Sequence, residues 1–433
     1  MTGLRLVLIV MFVPLLIRLL SGKHGKFGIV DGLFIAHACW MAVALAVNNP
    51  SQAVENIGST VVEFFGGYLV ARTYVRTKEE FLATIKDIFT IIIALVPLAI
   101  YEAKTGTAFI PKLISSIPGL GSVDQVTIPK RMGLERVQAN FAHPIHFGLF
   151  CSTAVSFALI GVRGSIRESR RIFTIAAIAI CIFLSLSSGA LLSGILQVGL
   201  ATWAWLFRNI KQRWWILLGL FALAYLFVDL LSNRSPIKVL MSYATFSAHT
   251  AFYRSIIFEW GMMNVWDNPI FGLGLNQWIR PRYMVSGTMD NFWLVMAVRY
   301  GIPGFLLVAA GYLWALVRVG RAKLSFDPIL VRIRLAWMIT FLGLSFTLCT
   351  VHIWTAAYSF VFFLLGSGLW MADVTYRPED VSFKPVAAKK RSAVAYSRVS
   401  KKEKLEANTS SKGDVNLTDV SRKDIRYTRF EKE

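Results

Sequence analysis

The chain has 433 residues, 55% of them hydrophobic, with a mean hydropathy of +0.55 and a formal net charge of +21. So apolar a composition excludes a soluble protein of two or three globular domains and predicts an all-α polytopic membrane protein. The charge does not point to nucleic acid, because Lys and Arg fall mainly in short loops between apolar runs and in the C-terminal tail, the pattern of positive-inside topology.

A spanning helix needs about 20 apolar residues. About 11 stretches qualify, at roughly 4–21, 28–47, 57–75, 81–101, 141–162, 172–187, 190–207, 214–231, 291–317, 335–351 and 353–371. The run 172–207 is too long for one span, and Ser187-Ser188-Gly189 supplies the turn that divides it; 335–371 divides near His352 for the same reason. Basic loops containing Arg72, Arg76 and Lys78, then Arg163, Arg167, Arg170 and Arg171, then Arg208, Lys211 and Arg213, then Arg318, Arg321, Lys323, Arg332 and Arg334 alternate so that all face the cytoplasm. The turn with Lys23, His24 and Lys26 joins them, whereas 48–56, charged only at Glu55, falls outside. No cleavable secretory signal is expected, since the first apolar run lacks a basic leader and a small-residue cleavage site. A transmembrane bundle is expected over 1–371, with two large extracytoplasmic segments at about 102–140 and 232–290; loops so long are usually functional. Residues 372–433, rich in Lys, Ser, Arg and Glu, read as a disordered basic cytoplasmic tail able to touch anionic headgroups. The four cysteines, Cys39, Cys151, Cys181 and Cys349, lie in apolar runs without metal-type spacing and are expected to be small buried hydrophobes.

Residues 231–291 differ from the rest of the chain, mixing aromatics with single charges and with the turn signals Asn268-Pro269 and Gly272-Leu273-Gly274. Within them, 249–266 reads as a helix too short and too charged to span, suited to a membrane interface where Tyr253, Trp260 and Trp266 are at home. Arg254 then lies near headgroup level, either as an anion ligand or simply paired with Glu259 or a bulk lipid phosphate. The glycines of 272–276 resemble a phosphate loop only superficially, because no βαβ strand precedes them and the third glycine is missing; they read as a turn packed against helix ends. Asp290 stands where the next span begins, either capping free amides or, facing an outward cavity, taking a proton from a sugar hydroxyl.

The first outer segment ends in Lys130, Arg131, Glu135, Arg136, Asn140, His143 and His146. Pro144 marks a helix start, and the spacing of the two histidines places them on one helix face. As a metal pair they lack further acidic or cysteine ligands; imidazoles turned into the bundle are the alternative. There is no serine elbow, zincin pattern, Walker loop or aspartate-rich metal signature, and no metal or cofactor is implied. What remains is a cluster of arginines, isolated histidines and a single candidate carboxylate. Such cations suit an anionic diphosphate and can neutralise it as a leaving group.

Taken in order, Arg136 to Gly148 (RVQANFAHPIHFG), Leu184 to Ala190 (LSLSSGA), Tyr253-Arg254, Asn268 to Gly274 (NPIFGLG), Asp290 to Leu294 (DNFWL) and Tyr300 to Gly304 (YGIPG) resemble the O-antigen ligase/polymerase superfamily. Within it the chain looks closest to exopolysaccharide repeat-unit polymerases of the ExoQ or Wzy type, over about 130–310. The resemblance implies a GT-C-like bundle in a bacterial inner membrane, with its active site facing the periplasm. It implies metal-independent, inverting glycosyl transfer from an undecaprenyl-diphosphate-linked glycan donor to the end of another lipid-linked repeat unit. A chain-length regulator and a flippase are the partners it suggests. By the same resemblance Arg136 and Arg254 are the catalytic cations, with Arg280, Arg282, Arg131, Asn291 and His146 as substrate-binding candidates. The ligase branch usually has a histidine before the asparagine that opens the span after the second loop; here the pair is Asp290-Asn291. The general base is therefore either Asp290, the first candidate, or His143. Transfer of a finished glycan to a lipid or protein is the alternative reaction, and transport of a polysaccharide or lipid the alternative class.

Overall fold

The computed structural model describes residues 3–22, 26–118, 122–232, 248–284 and 286–374, without the side chains of 248–251. The expected tail lies outside the described residues from 375 onward. In chain order the helices are α1 (Gly3–Leu20), α2 (Ile29–Asn48), α3 (Ala53–Val61), which runs through a π-turn into α4 (Gly67–Tyr74), α5 (Lys78–Thr105), the short α6 (Phe109–Ser115), α7 (Pro144–Thr153), α8 (Glu168–Leu184), α9 (Ser188–Leu206), α10 (Arg213–Leu231), α11 (Ala248–Asp267), α12 (Phe292–Gly320), α13 (Pro328–Leu348) and α14 (Thr355–Gly368). Among the described residues there is no strand beyond the isolated bridge of Arg131 with Leu134.

Nine of the described helical runs are long and apolar enough to cross a membrane, counting α7 as far as Gly161 and α14 as far as Ala372. Two of the about eleven expected spans are not among them. The expected span 57–75 is interrupted by the π-turn Val62–Gly66 with buried Glu63. The expected span 172–187 is α8, whose 17 residues begin among Glu168, Arg170 and Arg171. The long run 172–207 does divide just before Ser188, and the run 335–371 divides across 349–354. Only two cysteines behave as expected: Cys151 and Cys181 are buried, Cys39 and Cys349 exposed.

Charge inside an apolar bundle must be paired. Asp31 on α2 accepts from the Tyr68 hydroxyl at 2.5 Å and from Arg72 Nε and Nη2 at 3.1 Å each, all three side chains being buried. It also accepts from the Gly28 amide at 2.7 Å, so one carboxylate fixes the start of α2 against α4. Arg5 of α1 reaches Glu63 in the π-turn at 2.6 Å. Gly67 then lets α4 close on the backbone of Ser359 in α14, where a Cβ would meet the carbonyl oxygen at 2.3 Å.

The feature that shapes one end of the bundle is a break in α12. Gly301 has φ 69° and ψ 179°, a region essentially reserved for glycine, and Pro303 follows with no N–H. The helix ladder therefore fails for the carbonyls just before the break, and each finds another donor. Val298 O accepts from the Leu273 amide at 2.8 Å and Arg299 O from the Gly274 amide at 2.9 Å. Tyr300 O accepts from Trp40 Nε1 at 2.9 Å. In return the Ile302 amide donates to Pro269 O at 2.8 Å. The turn around Gly272 and Gly274 is thus packed against a helix end, as its sequence predicts. Helix α2 closes over it: Trp40 stacks on Phe271 with ring centroids 5.5 Å apart, Asn48 Nδ2 donates to Phe271 O, and Asn49 Oδ1 accepts from the Leu275 amide at 2.8 Å.

A Cβ on Gly301 would lie 2.0 Å from the Ile270 carbonyl oxygen, a backbone atom that cannot swing away. Gly301→Ala is expected to cost at least about 1–3 kcal/mol from its dihedrals alone and to lower the apparent melting temperature in detergent. Gly219→Ala in α10, where a Cβ meets nothing within 4 Å, is expected to leave it unchanged or raise it. Equal melting temperatures for the two variants would remove the broken helix from its structural role.

Candidate active site

The segment before α7 has little regular structure, yet it is fixed at many points. The Glu135 amide donates to Ala103 O and the Val137 amide to Leu184 O, both at 3.1 Å, so the chain is stitched between the ends of α5 and α8. Glu102 accepts from the Gln138 and Ala139 amides at 2.7 and 3.0 Å. Gln138 accepts from the Val126 amide at 2.9 Å and donates to Asp124 O and Phe141 O. Residues 131–134 form a tight turn with positive φ at Met132 and Gly133, and Arg131 Nη1 donates to Leu186 O at 2.7 Å. Arg131 and Arg136 are thereby held on one wall, at the head of α9.

The opposite wall comes from α11 and the residues after it. Asn264 donates to Trp260 O and accepts from the Ile279 amide at 2.8 Å, clipping the returning chain to α11. Trp278 Nε1 donates to Gly287 O at 2.9 Å. Arg280 donates to Met284 O at 3.1 Å and to Gln277 Oε1 at 2.9 Å. At the start of α12, Asn291 caps the helix by accepting from the Leu294 amide at 3.1 Å, and the Phe292 amide donates to Val351 O at 3.1 Å. This last bond brings Asp290 alongside 351–354.

Between the walls is a cavity of ≈ 1000 Å³ whose charged lining, among the described residues, is Arg131, Arg136, Arg254, Arg280, Arg299 and Asp290. Five cations face one carboxylate. Arg136 Nε and Arg254 Nε are buried without a hydrogen-bond partner, as is Nδ1 of His352. Burial pushes Arg136 down to about 10, with the charge of Arg131 adding to the effect. Arg254 is lowered by burial, opposed by Asp290 and reinforced by Arg131. Asp290 is raised by burial and held back by Arg254. His143 is pushed to about 4 by burial, then by Arg136, His146 and Arg131. His352 is pushed to about 3 by burial, then by Arg299 and His146. The site thus resists further positive charge and favours an anion.

Of the four non-glycine residues with positive φ among those described, Met132, Leu186 and Thr355 stand next in sequence to the lining residues Arg131, Ser187 and Trp354, and Ala139 lies in the same segment as Arg136. Backbone strain gathers at sites whose surroundings over-determine it. A second, apolar cavity of ≈ 280 Å³ lies between α7, α8 and α9, lined by residues such as Ala158, Ile178, Ile182, Leu191 and Ile195. Leu191 stands one helical turn from Ser188 on the cavity wall.

Of the residues singled out in the sequence, Arg131, Arg136, His143, Arg254, Arg280 and Asp290 meet in this cavity. Three do not line it. Arg282 is exposed outside it; Asn291 has its side chain committed to the α12 cap; His146 is buried, with Nε2 on His352 O at 3.1 Å. His143 and His146 do not share a helix face as ligands would, because His143 is the N-cap of α7 and its Nδ1 accepts from the Ile145 amide at 3.1 Å. That bond fixes the neutral tautomer with hydrogen on Nε2. Arg254 makes no ion pair with Glu259, which is exposed; the carboxylate whose charge acts on it is Asp290. Sequence reading missed Arg299, His352 and Trp354 as lining residues. Arg299 had a signal, a lone charge inside an apolar run, which in a membrane segment marks a functional position.

Histidine-ring titration by NMR is expected to find His143 neutral down to about pH 4. Arg136→Gln removes the largest charge acting on it and should move that midpoint upward. Between the ordinary value of 6.5 and about 4 the unfolded chain binds a proton that folded His143 refuses. Its contribution to stability is therefore complete above 6.5 and is lost as pH falls through that window. A midpoint unmoved by Arg136→Gln would separate the two side chains electrostatically.

A family model described as O-antigen ligase matches residues 173–309, a stretch that runs from α8 into α12 and includes Ser187, Ser188, Arg254, Arg280, Asp290 and Arg299 of the cavity wall. No curated protein matches the chain. Residues 173–309 of this multi-pass helical protein thus support its place in the O-antigen ligase/polymerase superfamily, and with it glycan transfer of that general type.

Proposed function

We propose that the protein polymerises undecaprenyl-diphosphate-linked oligosaccharide repeat units into exopolysaccharide or O-antigen, at the outer face of a bacterial inner membrane. The observation that carries this reading is the cavity itself: five arginines and a single carboxylate, with two guanidinium Nε atoms buried and unpaired. A diphosphate supplies anionic oxygens for the Nε donors of Arg136 and Arg254, which have no partner among the described residues. The apolar groove one turn from Ser188 suits the lipid that carries it. The positive-inside pattern of the loops supports a periplasmic opening for the cavity.

In the reaction, an acceptor hydroxyl oxygen attacks the anomeric carbon of the donor from the face opposite the diphosphate. The bond from that carbon to the diphosphate oxygen breaks, and its electron pair leaves on the diphosphate, where Arg136 and Arg254 hold the growing charge. The hydroxyl proton passes to Asp290. Burial raises the basicity of that carboxylate, and the charge of Arg254 acts against the rise. His143 is the weaker candidate for base, since its Nδ1 already accepts from Ile145 and the neutral ring carries its hydrogen on Nε2. Lys130 forms an ion pair with Glu135 at 3.0 Å and is not needed.

Arg136→Ala and Arg254→Ala are each expected to reduce chain growth on the order of a thousandfold, with protein still inserted in the membrane. Asp290→Asn is expected to lose turnover while keeping affinity for undecaprenyl diphosphate. Purified protein with lipid-linked repeat units and no added metal should give a ladder of products. Products that stop at one repeat in the variants fit a polymerase. In cells, long lipid-linked chains that persist in the variants fit transfer of a finished glycan to a lipid or protein; normal ladders from both purified arginine variants would sink the proposal.

A further inference from the structure

The arginines account for an anion, but the cavity is much larger than a diphosphate and its walls are not alike. Trp354 lines it with 38% of its surface exposed. The indole is set among three imidazoles: ring centroids lie 4.0 Å from His146, 5.8 Å from His352 and 6.1 Å from His143. Burial keeps His143 and His352 uncharged at neutral pH, so the rings around the indole are neutral in a cavity otherwise rich in arginine.

An exposed tryptophan in a membrane protein ordinarily belongs to the aromatic belt, turned to the headgroups. Trp354 instead shares its cavity with Arg136, Arg254, Asp290 and Gln277. The backbone behind it is strained: Trp354 is extended at φ −146° and ψ 166°, and Thr355 takes φ +50°, an outlier for a β-branched residue. A belt residue at a helix start gains nothing from that strain, whereas a ring that must face a ligand does. Trp278 makes a useful contrast, being buried with its Nε1 committed to Gly287 O.

We propose that Trp354 is a stacking platform for a sugar ring of the lipid-linked glycan. The identity of the ligand rests on the glycan-transfer reading above; the platform itself rests on the geometry. A pyranose has an apolar face of C–H groups, slightly positive, and a rim of hydroxyls. The face suits the negative π-surface of an indole. The hydroxyl rim then meets Gln277, Asn276 and Asp290, polar groups of the same cavity. Trp354 binds the sugar, the arginines bind the diphosphate, and the anomeric carbon falls between them.

The test compares two probes on purified full-length protein: the lipid-linked repeat unit from the source cells, and undecaprenyl diphosphate freed of its glycan. Wild type should bind the glycan-bearing lipid more tightly. Trp354→Leu should weaken that binding by about tenfold and leave the bare lipid unchanged. If Trp354→Leu does not fold, Trp354→Phe carries the test, with a loss of a few-fold confined to the glycan-bearing lipid. Losses equal for both probes indicate a structural role and overturn the platform, as does no loss in either variant. A wild type that forms no glycosidic bond yet keeps the Trp354-dependent preference retains the platform and rejects the transfer reading. A wild type that makes chains without that preference does the reverse.

Discussion

In a medium without water a backbone carbonyl cannot be left alone, and that constraint organises the working end of this protein. Breaking α12 at Gly301 releases the carbonyls of Val298, Arg299 and Tyr300, and the chain answers with donors from two distant places. The amides of Leu273 and Gly274 come from the turn after α11, and Trp40 comes from α2. Two consequences follow. The chain from Asn276 to Arg280 is led onto the cavity wall, and Arg299 sits at the end of a helical piece that stops there. The joint precedes the chemistry: without it, neither Arg280 nor Arg299 has a fixed place.

This joint was half legible in the sequence. Asn268 to Gly274 and Tyr300 to Gly304 each stand out as glycine-rich interruptions, and the first reads correctly as a turn against a helix end. That they are the two sides of one contact is invisible, because nothing in a pattern of residues says which amide will meet which carbonyl across 25 or more positions. The span count failed for a related reason. Hydropathy registers average apolarity, so it passes over the π-turn that buries Glu63 against Arg5, and it places the start of α8 after the charged turn at Glu168, Arg170 and Arg171 that belongs to the helix. At the site, charged residues in the outer segments were found because charge is conspicuous there. His352 and Trp354 were not, because their place in the cavity depends on the short extended link between α13 and α14. His146 and Asn291 were credited with ligand roles that the fold spends on hydrogen bonds.

The electrostatics of the cavity follow from the same economy of partners. Elsewhere in the bundle buried charge is met, Asp31 by buried Arg72, Glu63 by Arg5 and Glu102 by two backbone amides. In the cavity Arg136 and Arg254 keep an unpaired Nε, and the nearby histidines are held neutral by burial and by the arginines themselves. A site whose cations depress one another is destabilised until an anion enters. Part of the binding energy of that anion is then the relief of this repulsion. The positive φ angles at Met132, Ala139, Leu186 and Thr355 mark where the backbone bends to hold the arrangement.

One carboxylate among five guanidinium groups is an uneasy base, because cations nearby weaken it. Its position moderates this. Asp290 is coupled chiefly to Arg254, while burial acts in the opposite direction and the net effect is an upward shift. In the proposed reaction, a diphosphate held by the arginines would partly cancel their field at Asp290 and make the carboxylate more basic than it is without one. Binding of the leaving group would then strengthen the base that the acceptor needs. Donor binding and acceptor activation would be linked through one pair, Arg254 and Asp290, with no moving part required.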